Sequence, residues 1–426
     1  MEAYAIPIML IVMFGLMIIG VPIGASLSLG IFALLALDPV TNMMSFAQTM
    51  YSGLASYSML CIPFFMLAGS IMDTGGLSRK LVSFANSLVG NITGGLGMVS
   101  IISCMFFGAV SGSAAATTAA IGVIMIPQMV AHGYDKYYAT GLIAVAGGLG
   151  VIVPPSYPMV LYGCTNGVSI ADLFLAGFVP ACVVGGILMI FNYVICKKKH
   201  YGGAGVPVTL KNVLRTAWDA KWAILMPVII LGGIYGGIFT ATEASVVACV
   251  YGIIIGRLVY RELKWKSLFK MFMDNTVMVG GMMLVFAPAA AMGSIFALLQ
   301  IPTAINNFFL GLSQSPYVIL TFIIILMTFV GMFVNTTPAI LILSPLLLSL
   351  VQAVGVNPVH FGIIMTISLC LAFVTPPVAI NLFVATGMTG LNMTRIFKIA
   401  IPFVIALYVA LFVISFVPGI SLVLVS

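Results

Sequence analysis

Apolar residues run along this chain in long unbroken blocks, without the strict alternation of a membrane β-strand. Blocks near 5–20, 22–37, 57–72, 137–165 and 173–196 fill the first half, and blocks near 222–239, 243–260, 275–299, 359–387 and 395–424 fill the second. A membrane-crossing helix needs ~20 apolar residues, so each block reads as a span. The run from Ile6 has no basic region or small-residue cleavage site before it, and reads as a retained span, not a signal peptide. Two further segments, 95–130 and 316–353, hold a small, polar centre between apolar flanks. Helix-breaking residues at bilayer depth leave backbone groups that protein, water or ligand must satisfy. Such segments suit re-entrant hairpins that enter and return on one side. Segment 262–273 sets Glu262, Lys264, Lys266 and Lys270 among Trp265, Leu268, Phe269 and Phe272, which reads as an amphipathic helix lying in the cytoplasmic interface.

The two halves repeat at an offset near 222. GAVSGSAAATTAAIG (108–122) pairs with GMFVNTTPAILI (331–342), placing Ser113 on Asn335, and GGLGVIVPPSYP (147–158) pairs with LAFVTPPVAINLF (371–383). Pro180 falls on Pro402, Gly133-Tyr134-Asp135 on Gly355-Val356-Asn357, and Gly69-Ser70 on Gly293-Ser294. An odd number of spans per half inverts the second copy. Inverted repeats with paired broken helices mark secondary transporters, whose site lies at the repeat interface. Each Pro-Pro pair removes two N–H donors mid-span and frees upstream carbonyls. Oxygens released this way suit Na⁺, and the half-helix N-termini suit an anion. The bland alternatives are proline kinks and small-residue helix packing. The expected fold is an all-α polytopic membrane protein with inverted repeats, two re-entrant hairpins and two broken helices. Its expected parts are scaffold helices at 1–90, a first transport part at 91–170, scaffold and cytoplasmic linker at 171–315, a second transport part at 316–390, and a C-terminal helix at 391–426.

Charge sharpens this. Only 6% of residues are charged and 62% are hydrophobic, against ~25% charged in a soluble domain, so a soluble enzyme and a disordered chain are both excluded. The 16 Lys and Arg outnumber the 9 Asp and Glu. The cations cluster at Arg79-Lys80, Lys136, Lys197 to Lys221, Arg257 to Lys270, and Arg395 with Lys398. With Met1 outside, every cluster falls on the cytoplasmic side, as the positive-inside rule requires; the outer loops hold Glu2, Asp38, Asp172 and Glu243. Glu243 reads as part of an outer turn in which Thr240 or Thr242 caps the next helix. No Lys or Arg is expected at bilayer depth, so an anionic substrate would be held by Na⁺, helix N-termini and hydroxyls.

The seven Cys are scattered without a CxxC, and no HExxH, GxSxG or Walker loop occurs. No Asp pair lies in a span, and His132, His200 and His360 lie near span ends. Neither an enzyme nor a nucleic-acid partner is expected. The rivals to a transporter are a non-transporting scaffold and, more remotely, an intramembrane enzyme.

At these residues the chain resembles the large membrane subunit of tripartite ATP-independent periplasmic (TRAP) transporters. The motifs are SGSAAATTAAIG (111–122), GYD (133–135), PPS (154–156), GGIYGGIFTATEA (232–244), GVNPVHFGII (355–364) and TPPVAINLF (375–383). Two positions depart from the family's usual pattern: Ala241, where Pro is common, and the Asn335-Thr336-Thr337-Pro338 tip, where an acidic residue is common. The resemblance implies Na⁺-coupled, elevator-type uptake of a carboxylate such as sialic acid or a C4-dicarboxylate, in a bacterial inner membrane. It implies two partners: a small four-helix membrane subunit, expected as a separate chain, and a soluble periplasmic substrate-binding protein. It implies a first Na⁺ site at Ser111, Ser113, Gly150, Val153 and Pro155 and a second around Asn335, Thr337, Thr375 and Pro377. Substrate would lie between the hairpin tips, near Ser113, Asn335, Thr336 and Ser156. A stand-alone Na⁺/carboxylate symporter of related fold is the runner-up.

Overall fold

The computed structural model describes residues 2–37, 42–203 and 209–425. Asp38, expected in an outer loop, and the end residues Met1 and Ser426 lie outside the described residues. All regular structure among the described residues is helical.

The first half opens with α1 (Glu2–Ile18) and α2 (Ile23–Leu37), a pair turned at Gly20 with φ 90°. A methyl on Gly30 would lie 3.1 Å from the Met9 carbonyl, so the two helices meet almost backbone to backbone. Then come α3 (Met43–Leu54), a short 3₁₀ turn at Tyr57–Leu60, α4 (Cys61–Thr74) and α5 (Leu77–Val89). The first hairpin is α6 (Gly95–Ser111) with α7 (Ala114–Ala131), followed by α8 (Lys136–Ala146), α9 (Leu149–Ile152) and α10 (Tyr157–Asn166). Last in this half is the long helix α11 (Ile170–Lys199).

The second half begins with α12 (Leu210–Tyr235) and α13 (Ala241–Ile254), the latter running into a π-turn at Ile255–Val259. It continues with α14 (Trp265–Leu298) and α15 (Ile301–Leu312), the second hairpin α16 (Pro316–Phe333) and α17 (Thr336–Ala353), α18 (Pro358–Ala372), α19 (Ile380–Thr389), α20 (Met393–Phe416) and the short α21 (Gly419–Leu422). Among the described residues, ten stretches are long and apolar enough to cross a membrane.

The helix limits repeat with the sequence. Hairpin matches hairpin, broken helix 136–166 matches broken helix 358–389, and α11 matches α20, each with its internal proline (Pro180 and Pro402). At 1.5 Å per residue the hairpin arms reach roughly 25–27 Å. That is close to the ~30 Å hydrocarbon layer, and three of the four arms, Ala114–Ala131, Pro316–Phe333 and Thr336–Ala353, are among the stretches long and apolar enough to cross.

Two features differ from the sequence expectation. The expected interfacial helix at 262–273 is no separate element: Trp265–Leu298 is one continuous helix of 34 residues. Neither Gly nor Pro occurs between Trp265 and Val279, so nothing stops the interfacial turns from propagating into the span. Helices α3, α5 and α15 were not expected at all. Their apolar residues follow helical spacing with polar residues between, an amphipathic pattern, and at 12 or 13 residues each is too short to read as a span.

Helix α11 packs on α6, α18 and α20. At its Lys-bearing end Asn192, fully buried, accepts from the Tyr138 hydroxyl at 2.9 Å and donates to the Gly94 carbonyl at 3.0 Å. These bonds tie α11 to α8 and to the base of the first hairpin.

Candidate functional site

The tip of the first hairpin is a local construction of small and hydroxyl residues. Helix α6 ends because Gly112 takes φ 59°, a left-handed conformation that costs Gly little. Ser113 then adopts extended backbone and caps α7, its hydroxyl accepting from the Ala116 N–H at 3.4 Å. The side chains that follow turn back on the tip. The Thr117 hydroxyl donates to the Ser113 carbonyl at 2.8 Å and lies 3.0 Å from the Ser111 hydroxyl.

The first broken helix closes on this tip. Gly108 on α6 and Gly150 on α9 face each other so closely that a methyl on Gly108 would lie 2.8 Å from Gly150 Cα. A methyl on Gly150 would lie 2.6 Å from the Ser113 carbonyl oxygen and collide with the Thr117 hydroxyl. A methyl on Gly112 would lie 3.1 Å from the Pro155 carbonyl oxygen. Ser111, Ser113, Gly150 and Pro155 are thus brought together; Val153 is buried one turn beyond Gly150, its N–H held by the Leu149 carbonyl at 2.9 Å. Thr117 was not among the expected residues, yet it presents an oxygen at the centre of the cluster. Its spacing from Ser113, one helical turn, was the available signal. Ser156 is fully buried, and its hydroxyl is spent on the Val151 carbonyl, where it holds the break in shape.

The second half is arranged differently. Asn335 starts α17 without a side-chain capping bond and is exposed, while Thr336 and Thr337 are buried. The hairpin meets its broken helix through backbone, Val378 N–H donating to the Met332 carbonyl at 3.2 Å. The Thr375 hydroxyl turns to the Leu371 carbonyl at 2.8 Å, and Pro377 is exposed. Both Pro-Pro bonds, 154–155 and 376–377, are cis. The first expected cluster is therefore assembled around one carbonyl. In the second, Asn335 and Pro377 stand open, and the Thr375 hydroxyl is already bonded within its own helix.

The two halves are joined at the centre. The Tyr157 hydroxyl, just after the first Pro-Pro pair, lies beside the Thr336 and Thr337 hydroxyls of the second hairpin. At the other end of α10, Asn166 Nδ2 donates to the Ser344 hydroxyl of α17 at 2.7 Å. Away from the basic clusters, two adjoining clefts of about 450 and 560 Å³ run between α3, α13 and α14 on one side and α10 and α17 on the other, sharing Ser56 and Cys164. No charged side chain lines either cleft.

The fit to a small hard cation can be judged from the first cluster. Two hydroxyls and a carbonyl converge where Gly150 supplies no Cβ, and all three donors are neutral oxygens, the ligand type that hard cations take. At the outer turn, the expected cap of α13 is in place. The Thr240 hydroxyl accepts from Glu243 N–H at 3.3 Å, and the Glu243 carboxylate accepts from Thr240 N–H at 2.8 Å, a reciprocal capping box.

Residues 10–420 match the family described as tripartite ATP-independent periplasmic transporter, DctM component. The chain is 40% identical over 406 residues to the isethionate TRAP transporter permease protein DctMQ of Oleidesulfovibrio alaskensis, covering 95% of this chain and 64% of that protein. It is 37% identical over 395 residues to the C4-dicarboxylate TRAP transporter large permease protein DctM of Pseudomonas aeruginosa, covering 93% and 92%. In fold it is similar to the crystal structure of the Alcanivorax borkumensis YdaH transporter, with a TM-score of 0.65 at 14% identity over 87% of each chain.

Proposed function

The chain belongs to the DctM component family of tripartite ATP-independent periplasmic transporters, a family of transport permeases and not of enzymes, and we propose that it imports an organic anion in symport with Na⁺. The observation that carries this reading is the oxygen cluster of Ser111, Ser113 and Thr117 seated on Gly150. A first Na⁺ held there, by these oxygens with Val153 and Pro155 closing the break, would draw the hairpin tip and the broken helix together. A second belongs near Asn335, Thr337, Thr375 and Pro377, where the open tip has yet to close. The anion sits between the tips, against Ser113, Asn335 and Thr336. Tyr157 joins this set because its hydroxyl lies beside Thr336 and Thr337; Ser156 acts by shaping the break.

The moving body is made of 91–170 and 316–390, and it slides against scaffold helices drawn from 1–90 and 171–315, with 391–426 as the last helix. The N-terminus faces the periplasm and the basic clusters face the cytoplasm. The partners are a small four-helix membrane subunit and a periplasmic binding protein that delivers cargo. The DctMQ relative is longer than this chain, which spans 64% of its length, as a large permease joined to a second subunit would be. The cargo class is a small carboxylate or sulfonate, following the dicarboxylate and isethionate named for the relatives.

Proteoliposomes holding the chain, its small subunit and the binding protein test this. Uptake is expected to require both a Na⁺ gradient and the binding protein. Full-rate uptake with neither would sink it, and Na⁺-driven uptake without the binding protein would favour the stand-alone symporter.

A further inference from the structure

Helices α5 and α15 are repeat mates, as are α7 and α17, yet the two pairs are packed differently. On α17, Leu350 is 0% exposed and Leu346 8%, and the Ser349 hydroxyl donates to Asn306 Oδ1 of α15 at 3.4 Å. The matching residues on α7, Gln128 and Ile124, are exposed and half-buried. Between them and α5 lies a cleft of about 470 Å³, lined by Arg79, Val82, Ser83, Asn86, Ile124 and Gln128. Arg79, Val82 and Ser83 correspond to Thr303, Asn306 and Asn307 on α15. The same two-helix unit is thus open where it carries a cation and closed where it is neutral.

We propose that the α5–α7 cleft is an anion site on the cytoplasmic face, taking the carboxylate or sulfonate of a small organic anion. The Arg79 guanidinium supplies the charge, and the Ser83 hydroxyl and Gln128 amide supply further donors. This rests on the import reading above and adds the residues that receive the anion after it leaves the tips. The volume falls within the range of small-ligand sites, roughly 300–1,000 Å³. Helix α7 connects the two places: from the Ser113 cap to Gln128 is about 22 Å at helical rise. The tips and the break carry no Lys or Arg, so Arg79 is the cationic side chain that an anion moving down α7 meets in this cleft. Its present partner is Glu262, 3.7 Å away, with both side chains well exposed at 74% and 42%. An exposed pair of that length is weak and occupies only part of a five-donor guanidinium, so an incoming anion competes on good terms. A site at the mouth, loosely held by one exposed cation, lowers the cost of exit without trapping the cargo.

The test is accessibility of Ser83→Cys, in nanodiscs of zwitterionic lipid holding the chain with its small membrane subunit. Modification by a charged thiol reagent is timed with and without succinate or isethionate. At least one of the two anions is expected to slow modification. Arg79→Gln should raise the half-protecting concentration about tenfold, the loss of one charge-assisted contact, and Arg79→Lys should fall between. The site is overturned if neither anion changes the rate, if Arg79→Gln leaves protection intact, or if phosphatidylglycerol in the disc gives the same slowing with no soluble anion. Labelling needs no gradient and no turnover. Protection in a complex that fails to import therefore overturns the import reading alone, and import without protection overturns this site alone.

Discussion

The side-chain amide of Asn381 donates to the carbonyl of Ala144 at 3.0 Å, joining the second broken helix to the first repeat. The Ala144 carbonyl sits where α8 gives way to the break, and the Gly148 N–H bonds to Val145 instead. Asn381 is fully buried and its Oδ1 has no partner among the described residues. Asn381→Ala should therefore strand a carbonyl inside the protein and cost about 0.5–2 kcal/mol. Thermal unfolding of the purified complex would register this as a lowered midpoint. An unchanged midpoint would mean that water replaces the amide at no cost.

Gly150→Ala puts a methyl 2.6 Å from the Ser113 carbonyl. The hairpin tip must shift, at an overpacking cost of about 1–3 kcal/mol, and the oxygen cluster opens. Uptake should fall sharply, and the Na⁺ concentration for half-maximal rate should rise, while the variant still assembles with its small subunit. Wild-type Na⁺ dependence in Gly150→Ala would remove the cluster from the coupling site.

Tyr157→Phe keeps the ring and removes only the hydroxyl beside Thr336 and Thr337. Removing it is expected to weaken the apparent affinity for Na⁺ or cargo, with assembly unaffected. Titrating uptake against each ligand would separate the two. A variant that loses stability but not affinity would make Tyr157 a packing residue.

How much of this was legible beforehand differs from residue to residue. The hairpin and break positions could be read because each repeat violates the apolar pattern at the same offset, and helix limits follow those violations to within a few residues. Ser111, Ser113 and Gly150 could be located through their motifs, but their convergence could not. It depends on Gly108 and Gly150 letting two backbones touch, a contact between segments about forty residues apart that carries no periodic signature. Thr117 lies in the hydroxyl-rich tip, but beyond its spacing from Ser113 nothing in the sequence singled it out from Thr118 beside it. Helices α3, α5 and α15 were missed because each is only 12 or 13 residues long, shorter than the ~20 apolar residues of a span. The 262–273 segment was misread for the opposite reason: its charges ended the apolar block, though nothing in its backbone chemistry ended the helix.

The proposed sliding motion can be tested at the closed pair. The Ser349 hydroxyl and Asn306 Oδ1 stand 3.4 Å apart across α17 and α15, one element inside the proposed moving body and one in the scaffold. Motion of the body must separate them. Asn306→Cys with Ser349→Cys, oxidised to a disulfide, should hold α17 against α15 and stop uptake, and a reductant should restore it. Either single variant under oxidant controls for the seven native cysteines. A fully oxidised double variant that transports at the reduced rate would mean that α15 travels with α17. The boundary between moving body and scaffold would then lie on the other side of α15, nearer α14.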